Sequence, residues 1–316
     1  MALYRHHLPQ LATDLFLTDG GIETSLIYDD GIELPDFAAF TLLEDPAGRA
    51  ALERYFDAYL AIAARDGIGM VLETPTWRAS ADWGARQGYS TDRLAAVNRA
   101  AVDLLVAARR RWDTAAPVVI SGCIGPRGDG YRPDDLMTVT EARNYHSHQA
   151  RTFADSEADL VTAITMTYPA EAIGVTLAAR AAAMPVVISY TVETDGTLPT
   201  GESLAEAIEA VDAATDGYPA YYMVNCAHPE HFAGALDQHA AWTKRLGGVR
   251  ANASTLSHAE LDVATELDAG DPPALAEHYR RLRAQHPQLC VLGGCCGTSH
   301  VHIDAISRAC LAPAAS

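Results

Sequence analysis

Three cysteines could together bind a soft metal ion, although one of them lies far from the other two along the chain. Cys295 and Cys296 are adjacent in the segment GGCCGT, and Cys226 lies in the earlier segment VNCAHPEHF. Zn²⁺ prefers thiolate ligands in tetrahedral geometry, and three protein ligands leave one coordination position open for a reactant. No C-x-x-C pair is present, so spacing alone leaves a catalytic zinc site as one interpretation among several.

The backbone must turn sharply if two adjacent cysteines are to reach one ion, because neighbouring side chains of a regular strand point to opposite faces. Gly293, Gly294 and Gly297 flank the pair and permit unusual backbone conformations. The alternative, a disulfide between Cys295 and Cys296, is strained and disfavoured in a reducing compartment.

Four histidines near the cysteine segments are alternative metal ligands. His228 and His231 follow Cys226, while His300 and His302 follow the adjacent pair. All four come just after predicted strands, in the first turns of the following helices. We interpret them as surface or supporting residues with their own hydrogen-bond partners rather than as ligands.

The sequence predicts no segment that directs the protein into or across a membrane. No run approaches the ~18 apolar residues that a spanning helix needs, and the N-terminus has no leader pattern. We therefore expect a cytoplasmic protein without a disulfide framework. Cys123 is predicted to pack at a strand end, and Cys290 and Cys310 to be buried free thiols.

The charge balance and the lysine content exclude several classes of function. The chain has 23 Lys+Arg against 41 Asp+Glu, for a net charge of -18. The negative electrostatic field of such a chain repels phosphate backbones, so no nucleic-acid partner is expected. Cationic small molecules are compatible with this field. Lys244 is the only lysine, and its predicted place before a strand is wrong for Schiff-base or pyridoxal phosphate chemistry.

Eight apolar, β-branched runs alternate with helical patterns, which predicts a (β/α)₈ TIM barrel forming one domain over 1–316, with its core at about 15–310. An open doubly wound sheet is the structural alternative. The helical segments end or begin at typical residues, such as Gly67 as a stop and Ser90 or Thr91 as a cap. The predicted strands are 15–20, 68–74, 117–125, 159–165, 185–191, 221–226, 247–253 and 289–297.

Residues suited to chemistry fall at the ends of these strands. Barrel enzymes assemble their sites from that carboxyl-terminal rim, so residues distant in sequence are predicted to converge there. In chain order the strand-end residues are Asp19, Glu73, Cys123, Thr165, Thr191, Cys226, Asn252 and the pair Cys295 and Cys296.

The sequence resembles the homocysteine S-methyltransferase family from about residue 15 to 310. That family includes methyltransferases that use betaine or S-methylmethionine as the methyl donor. The resemblance rests on LTDGGIETSL, ISGCIGP, VISYTVETDGTLPTGESLAEA, VNCAHPEHF and GGCCGT, of which the last two, in this order, are the most specific.

The resemblance implies a zinc-dependent methyl transfer from an onium donor to a small-molecule thiol, homocysteine in the family, as in methionine biosynthesis. Cys226, Cys295 and Cys296 would bind the zinc, and the thiol would join as fourth ligand. Asp19 would meet the amine of the amino acid, and backbone N–H groups at Gly20 and Gly21 would hold its carboxylate. Asn252 corresponds to an asparagine that can approach the metal when substrate is absent.

One departure from the family pattern affects the expected acceptor. Many members have a glutamate at the end of the fourth strand that binds the amine of homocysteine, but here Ile164 or Thr165 takes that position, and Glu171 belongs to the following helix. Losing one charge-assisted hydrogen bond removes roughly 1.5–3 kcal/mol of recognition. Either Glu73 or Glu23 compensates, or the acceptor is a different thiol.

The donor side is predicted from the loop after the second strand. Its aromatic residues Trp77, Trp83 and Tyr89 would form a wall for an onium methyl group; the alternative is that they only pack the loop. No cobalamin module is predicted in this sequence, and it contains no G-x-G-x-x-G loop.

Two other functions remain open beside methyl transfer to homocysteine. The protein could demethylate an unusual donor, with the thiol merely receiving the methyl group, or it could be a zinc- or ligand-binding barrel without catalysis. The oligomeric state, monomer or homodimer, is not predicted from the sequence.

Overall fold

A computed structural model describes residues 1–12, 15–112, 115–236 and 239–311, so the last five residues of the predicted domain, 312–316, lie outside the described residues. Eight parallel strands form a closed barrel in chain order. The first and last strands close it, with Phe16 opposite Val291 and Leu17 opposite Leu292. The predicted TIM barrel is confirmed, and the open-sheet alternative is wrong.

All eight strands lie within or overlap the predicted runs. Nearly every strand residue is buried, as expected where helices cover the outside and side chains fill the inside. The strands are β1 (Phe16–Leu17), β2 (Gly69–Glu73), β3 (Val118–Ile124), β4 (Leu160–Met166), β5 (Val186–Tyr190), β6 (Tyr221–Asn225), β7 (Leu246–Ala251) and β8 (Val291–Gly294).

The helices occupy the segments between the strands. They are α1 (Ile22–Thr24), α2 (Pro46–Asp66), α3 (Ala81–Arg86), α4 (Thr91–Arg111), α5 (Val139–Ala154), α6 (Pro169–Ala181), α7 (Leu204–Thr215), α8 (Pro229–Phe232), α9 (His258–Asp262), α10 (Pro272–Gln285) and α11 (His300–Leu311). Short 3₁₀ segments occur at Pro9–Leu11, Pro35–Phe37, Ala39–Glu44, Ala233–Ala235 and Trp242–Arg245, and a π-helical turn at Ser25–Asp29.

Helix ends follow the expected local chemistry. The α2 helix ends at Gly67, whose φ of 64° is a left-handed conformation that glycine adopts at low cost. The α4 helix begins after Ser90, whose side chain accepts a hydrogen bond from the Arg93 N–H. None of the helices in the described residues is long and apolar enough to cross a membrane.

Alternate strand residues point into and out of the barrel. In β2, Met70 and Leu72 belong to the core shared with the helices, whereas Val71 belongs to a separate cluster inside the barrel. That inner cluster is an apolar layer near the amino-terminal end of the strands, formed by Leu8, Phe16, Val71, Val119, Leu160, Val187, Tyr221, Met223 and Val291.

Polar side chains on β2 to β6 lie two residues beyond the apolar layer, and Arg250 on β7 joins them. They form hydrogen bonds or ion pairs with one another, which is required of polar groups excluded from water. The pairs are Ser121 with Thr162 at 2.8 Å, Ser189 with Asn225 at 2.6 Å, and Glu73 with Arg250 at 2.7 Å. This polar layer forms the floor of the carboxyl-terminal rim.

Candidate active site

A cavity of about 330 Å³ lies at the carboxyl-terminal rim of the barrel. Its walls come from the segments that follow most of the strands, as the TIM-barrel prediction requires. The predicted residues that line it are Asp19, Gly20, Gly21, Glu23, Glu73, Trp77, Cys123, Thr165, Cys226, Asn252, Cys295 and Cys296. Thr191 is buried and is not part of its lining.

The three predicted cysteines meet in this cavity, with their sulfur atoms all within 4.8 Å of one another. Cys226 has a φ of 53°, which a non-glycine residue adopts at an energetic cost and which is often associated with functional sites. Cys226 and Cys295 form a disulfide, and Cys296 is free. The disulfide considered from the sequence, between Cys295 and Cys296, is therefore not the one present.

The residues around the sulfur atoms fit a soft metal ion once the disulfide is reduced. Three thiolates are a ligand set that zinc prefers. The Asn252 amide donates from Nδ2 to the Cys226 carbonyl at 3.0 Å, whereas its Oδ1 is buried without a hydrogen-bond partner. An unpaired amide oxygen beside the thiols is a group that a cation or its bound water would satisfy.

The glycines around the pair have a different role from the predicted one. Gly293 and Gly294 belong to β8, and only Gly297 has a positive φ, of 76°. A Cβ atom on Gly293 would lie 1.7 Å from the Thr18 hydroxyl, and one on Gly294 would lie 2.1 Å from the Thr298 hydroxyl. These two glycines are required by close packing rather than by backbone conformation.

Two residues that the sequence analysis did not identify contact the cysteines. His258 Nε2 donates to the Cys226 carbonyl at 2.7 Å, and its ring packs against Tyr131 with ring centroids 4.4 Å apart. The Tyr131 hydroxyl lies 3.6 Å from the Cys296 sulfur. Both residues lie in rim segments after the strands and have no distinguishing motif, so only the folded chain identifies them.

The four histidines considered as ligands are not part of the sulfur cluster. His228 Nδ1 accepts from the Glu230 N–H at the start of α8, and burial lowers the pKa of His228 to about 4. His231 and His302 donate to the backbone carbonyls of Thr255 and Ala269, and His300 begins α11. Three of the four thus have local hydrogen-bond partners.

Arg250, in β7, holds the two acidic residues at the floor of the cavity. Its guanidinium lies 2.8 Å from the Asp19 carboxylate and 2.7 Å from the Glu73 carboxylate, and all three side chains are buried. The Tyr55 hydroxyl donates to the other Asp19 oxygen at 2.9 Å. Burial raises the pKa of both acids, and the Arg250 charge opposes that shift. Both acids are thus already paired inside the protein.

The expected carboxylate-binding N–H groups are also partly occupied. The Gly21 N–H donates to the Thr298 carbonyl at 3.0 Å, so it is not free in this structure to bind a ligand. Gly20 contributes its carbonyl oxygen, which accepts from Tyr55 and Arg250 at 3.0 and 3.2 Å.

Glu23 is the predicted acid that remains free in the cavity. It lies in α1, is partly buried, and has no ion-pair partner among the described residues. Burial raises its pKa to about 7; Asp19 adds to this rise, while Arg78 and Arg250 oppose it. Its carboxylate is therefore available to a cationic ligand near neutral pH.

The end of β4 carries no acid, as the sequence suggested. Thr165 has a φ of 63°, and its hydroxyl accepts from the Asn225 amide at 3.0 Å. Ile164 also lines the cavity. Glu171 lies elsewhere in α6, where it accepts hydrogen bonds from His146 and from the Arg127 N–H.

The predicted aromatic wall is only partly present. Trp77 lines the cavity, but Trp83 and Tyr89 do not. The Arg78 guanidinium covers the Trp83 ring at 3.6 Å, and Tyr89 donates its hydroxyl to Glu44 and packs elsewhere in the loop. The prediction was wrong for these two residues because the loop turns them away from the rim, toward partners within the protein.

The closed barrel and its rim of thiols and acids define the architecture of a TIM-barrel enzyme. A sequence model of the family described as homocysteine S-methyltransferase matches residues 16–310, and the chain belongs to that family. Methyl transfer to homocysteine is the activity that defines the family.

Individual relatives are distant in sequence but cover almost the whole chain. Homocysteine S-methyltransferase 1 of Arabidopsis thaliana is 23% identical and covers 92% of both chains. The homocysteine methyltransferase MmuM of Escherichia coli, in its metallated form, is 22% identical, covers 93% of this chain and 96% of its own, and superposes with a TM-score of 0.74. Its oxidized form gives a TM-score of 0.76 at 22% identity, over 95% and 97% of the two chains.

Proposed function

We propose that this protein is a zinc-dependent methyltransferase that moves a methyl group from an onium donor to a thiol, with homocysteine as the acceptor that its family favours. The observation that carries the proposal is the meeting of three cysteine sulfurs within 4.8 Å at the rim cavity. A metallated form of the Escherichia coli relative supports a metal in a barrel of this kind.

Cys226, Cys295 and Cys296 would hold the zinc ion, with the Cys226–Cys295 disulfide reduced beforehand. Bound zinc with an open position lowers the pKa of an incoming thiol and keeps it as thiolate. The new bond forms between the acceptor sulfur and the methyl carbon as the bond from that carbon to the donor heteroatom breaks. The thiol proton leaves to solvent, and the donor loses its positive charge.

The protein's own contribution is alignment and charge placement. Trp77 lines the cavity, and an aromatic ring there attracts a methylated cation, although Arg78 already covers one face of that ring, 3.8 Å from its centroid. Glu23 adds a carboxylate that forms no ion pair with any described residue, although Arg78 and Arg250 act on its charge from farther away. Holding donor and acceptor in line contributes to the rate by removing the entropy cost of bringing them together.

Glu23 is the residue we assign to the cationic group of a substrate, because Asp19 and Glu73 are occupied by Arg250. With a pKa raised to about 7, Glu23 becomes charged as the pH rises through 7. In the wild type, KM for the cationic substrate should fall as pH rises from about 6 to 8. Glu23→Gln should raise KM about 10-fold at pH 8, as expected for the loss of one charged contact, and flatten this pH dependence.

Steady-state kinetics across this pH range measure both effects. Glu266→Gln is the matched control, since Glu266 also lines the cavity but is exposed, and it should keep the wild-type pH profile. An unchanged KM and profile in Glu23→Gln would remove Glu23 from the site.

A different thiol acceptor or an unusual donor is the second candidate. It is favoured by the absence of an acid at the end of β4 and by the pairing of Asp19 and Glu73 with Arg250. Both observations weaken the contacts expected for the amine of homocysteine.

A substrate panel with the reduced, zinc-loaded protein tests the proposed function. Homocysteine, cysteine and an amine-free thiol would be combined with S-methylmethionine, betaine and a simple sulfonium, and products identified by mass spectrometry. We expect methylated homocysteine from at least one donor. Faster methylation of another thiol would support the second candidate, and zinc binding without any methyl transfer would support a non-catalytic barrel.

A further inference from the structure

Two arginines line the rim cavity, and their surroundings differ. Arg250 is bound by two carboxylates, those of Asp19 and Glu73. Arg78 is equally buried, at 5% exposure, yet forms no ion pair with any described residue. A buried charge without a partner is costly, so its retention inside a cavity indicates an external partner.

The Arg78 guanidinium is held in place but is largely unsatisfied as a donor. It lies between the Trp77 and Trp83 rings, 3.8 and 3.6 Å from their centroids. Among the described residues, only the Gly128 carbonyl accepts a hydrogen bond from this guanidinium, from Nη1 at 3.1 Å, and Nε is buried without an acceptor. Stacking fixes the plane of the guanidinium, which is the pre-organisation that bidentate binding of a carboxylate requires.

The acid that influences Arg78 most strongly, Asp129, forms no ion pair with it. One of the Asp129 oxygens already accepts from the Tyr131 and Arg132 N–H groups at 2.8 and 3.0 Å. Burial lowers the pKa of Arg78 to about 10, so the side chain still carries its charge at neutral pH.

We propose that Arg78 binds the carboxylate group of a substrate in this cavity and selects for substrates that carry one. The inference rests on the proposed methyl transfer for the identity of the substrates, not for the site itself. Trp77 and Glu23 would face the cationic part of the same ligand or of its reaction partner, so the cavity fits a zwitterion.

The charge of the cavity favours a monoanionic group over a phosphate. Besides the two acids held by Arg250, the lining includes Glu23, Asp129, Asp262, Glu266 and Asp268. One unpaired arginine among these acids matches a single negative charge, whereas a dianion would meet repulsion from the others.

The carboxylate can belong to either substrate, and paired ligands separate the two sources. For the acceptor, homocysteine is compared with 3-aminopropanethiol, its decarboxylated analogue. For the donor, S-methylmethionine is compared with the decarboxylated (3-aminopropyl)dimethylsulfonium. Dissociation constants are measured by calorimetry on the reduced, zinc-loaded protein, so they do not depend on turnover.

Wild-type protein should bind one carboxylate-bearing ligand about 10- to 100-fold more tightly than its decarboxylated analogue, as expected for a charge-assisted pair. Arg78→Gln should remove most of that preference for the same substrate and leave the analogue's dissociation constant unchanged within about 3-fold. Arg78→Lys should restore part of it, because the charge is kept while the bidentate geometry is lost.

Arg86→Gln is the matched control. Arg86 stacks on the Trp83 ring, as Arg78 does, and lies 4.3 Å from the ring centroid. Unlike Arg78, Arg86 is exposed and is not part of the cavity lining. It should bind all four ligands as the wild type does.

Equal preference for the carboxylate in wild type and Arg78→Gln would overturn the assignment of Arg78, and methyl transfer would still stand. If Arg78→Gln does not fold, the wild type decides: equal affinity for both members of each pair would overturn the proposal. Absence of methyl transfer with every substrate would instead count against the proposed function and leave the binding comparison valid.

Discussion

Replacing Cys296 by alanine is expected to remove tight zinc binding and to lower methyl transfer by more than 100-fold. Loss of a residue that only contacts a metal ligand lowers metal affinity or activity by roughly 10- to 100-fold, and loss of a ligand itself should cost more. Cys296 is the informative position because it is free and exposed, so its loss leaves the Cys226 and Cys295 pair intact. Metal content per chain by mass spectrometry and the initial rate of methyl transfer measure the two effects.

Cys310→Ala provides the control for this prediction. Cys310 is a free, partly buried cysteine in α11, outside the sulfur cluster. It should retain about one zinc per chain and the wild-type rate. Full zinc content and full activity in Cys296→Ala would show that the cluster is not the metal site.

Replacing Arg250 by methionine is expected to destabilise the fold by about 3–5 kcal/mol, because it leaves the buried carboxylates of Asp19 and Glu73 without their partner. Urea unfolding of the reduced protein, followed by circular dichroism, measures the change in the free energy of unfolding.

Arg93→Gln is the control for charge removal. Arg93 pairs with Glu44 at the exposed surface, where ion pairs contribute little, so its unfolding midpoint should stay close to that of the wild type. An Arg250→Met midpoint as high as that control would mean that the two acids are held neutral or solvated rather than stabilised by the arginine.

The barrel and the sulfur cluster could be predicted from the sequence for a physical reason. Strands covered on both faces are continuous apolar runs, and the carboxyl ends of parallel strands share one rim. Cys226 and Cys295 follow β6 and β8, which are separated by one strand. Their convergence therefore depended only on strand count and order, both of which the sequence patterns indicate.

The charge pairing inside the rim could not be predicted in the same way. Arg250 reaches Asp19, which follows β1, and Glu73, which ends β2, across the barrel interior. Such contacts depend on the register and tilt of all eight strands, which no local pattern specifies. A charged residue in an otherwise buried run, GGVRANA, was the available indication, because a buried charge requires a partner.

Side-chain direction within the rim loops was also beyond sequence reasoning. Trp77, Trp83 and Tyr89 are all aromatic and lie in one loop region, yet only Trp77 lines the cavity. Arg78 separates two of the rings by stacking between them. The roles of Gly293 and Gly294 were hidden for a related reason, since they depend on hydroxyl groups of distant residues, Thr18 and Thr298.

Zinc K-edge X-ray absorption on the reduced, zinc-loaded protein measures the proposed centre most directly. We expect three sulfur neighbours at about 2.3 Å and one lighter atom without substrate, and four sulfur neighbours after homocysteine is added. A zinc shell made mainly of nitrogen and oxygen, or one whose sulfur count does not change with any thiol that the protein methylates, would contradict a thiol-activating site at Cys226, Cys295 and Cys296.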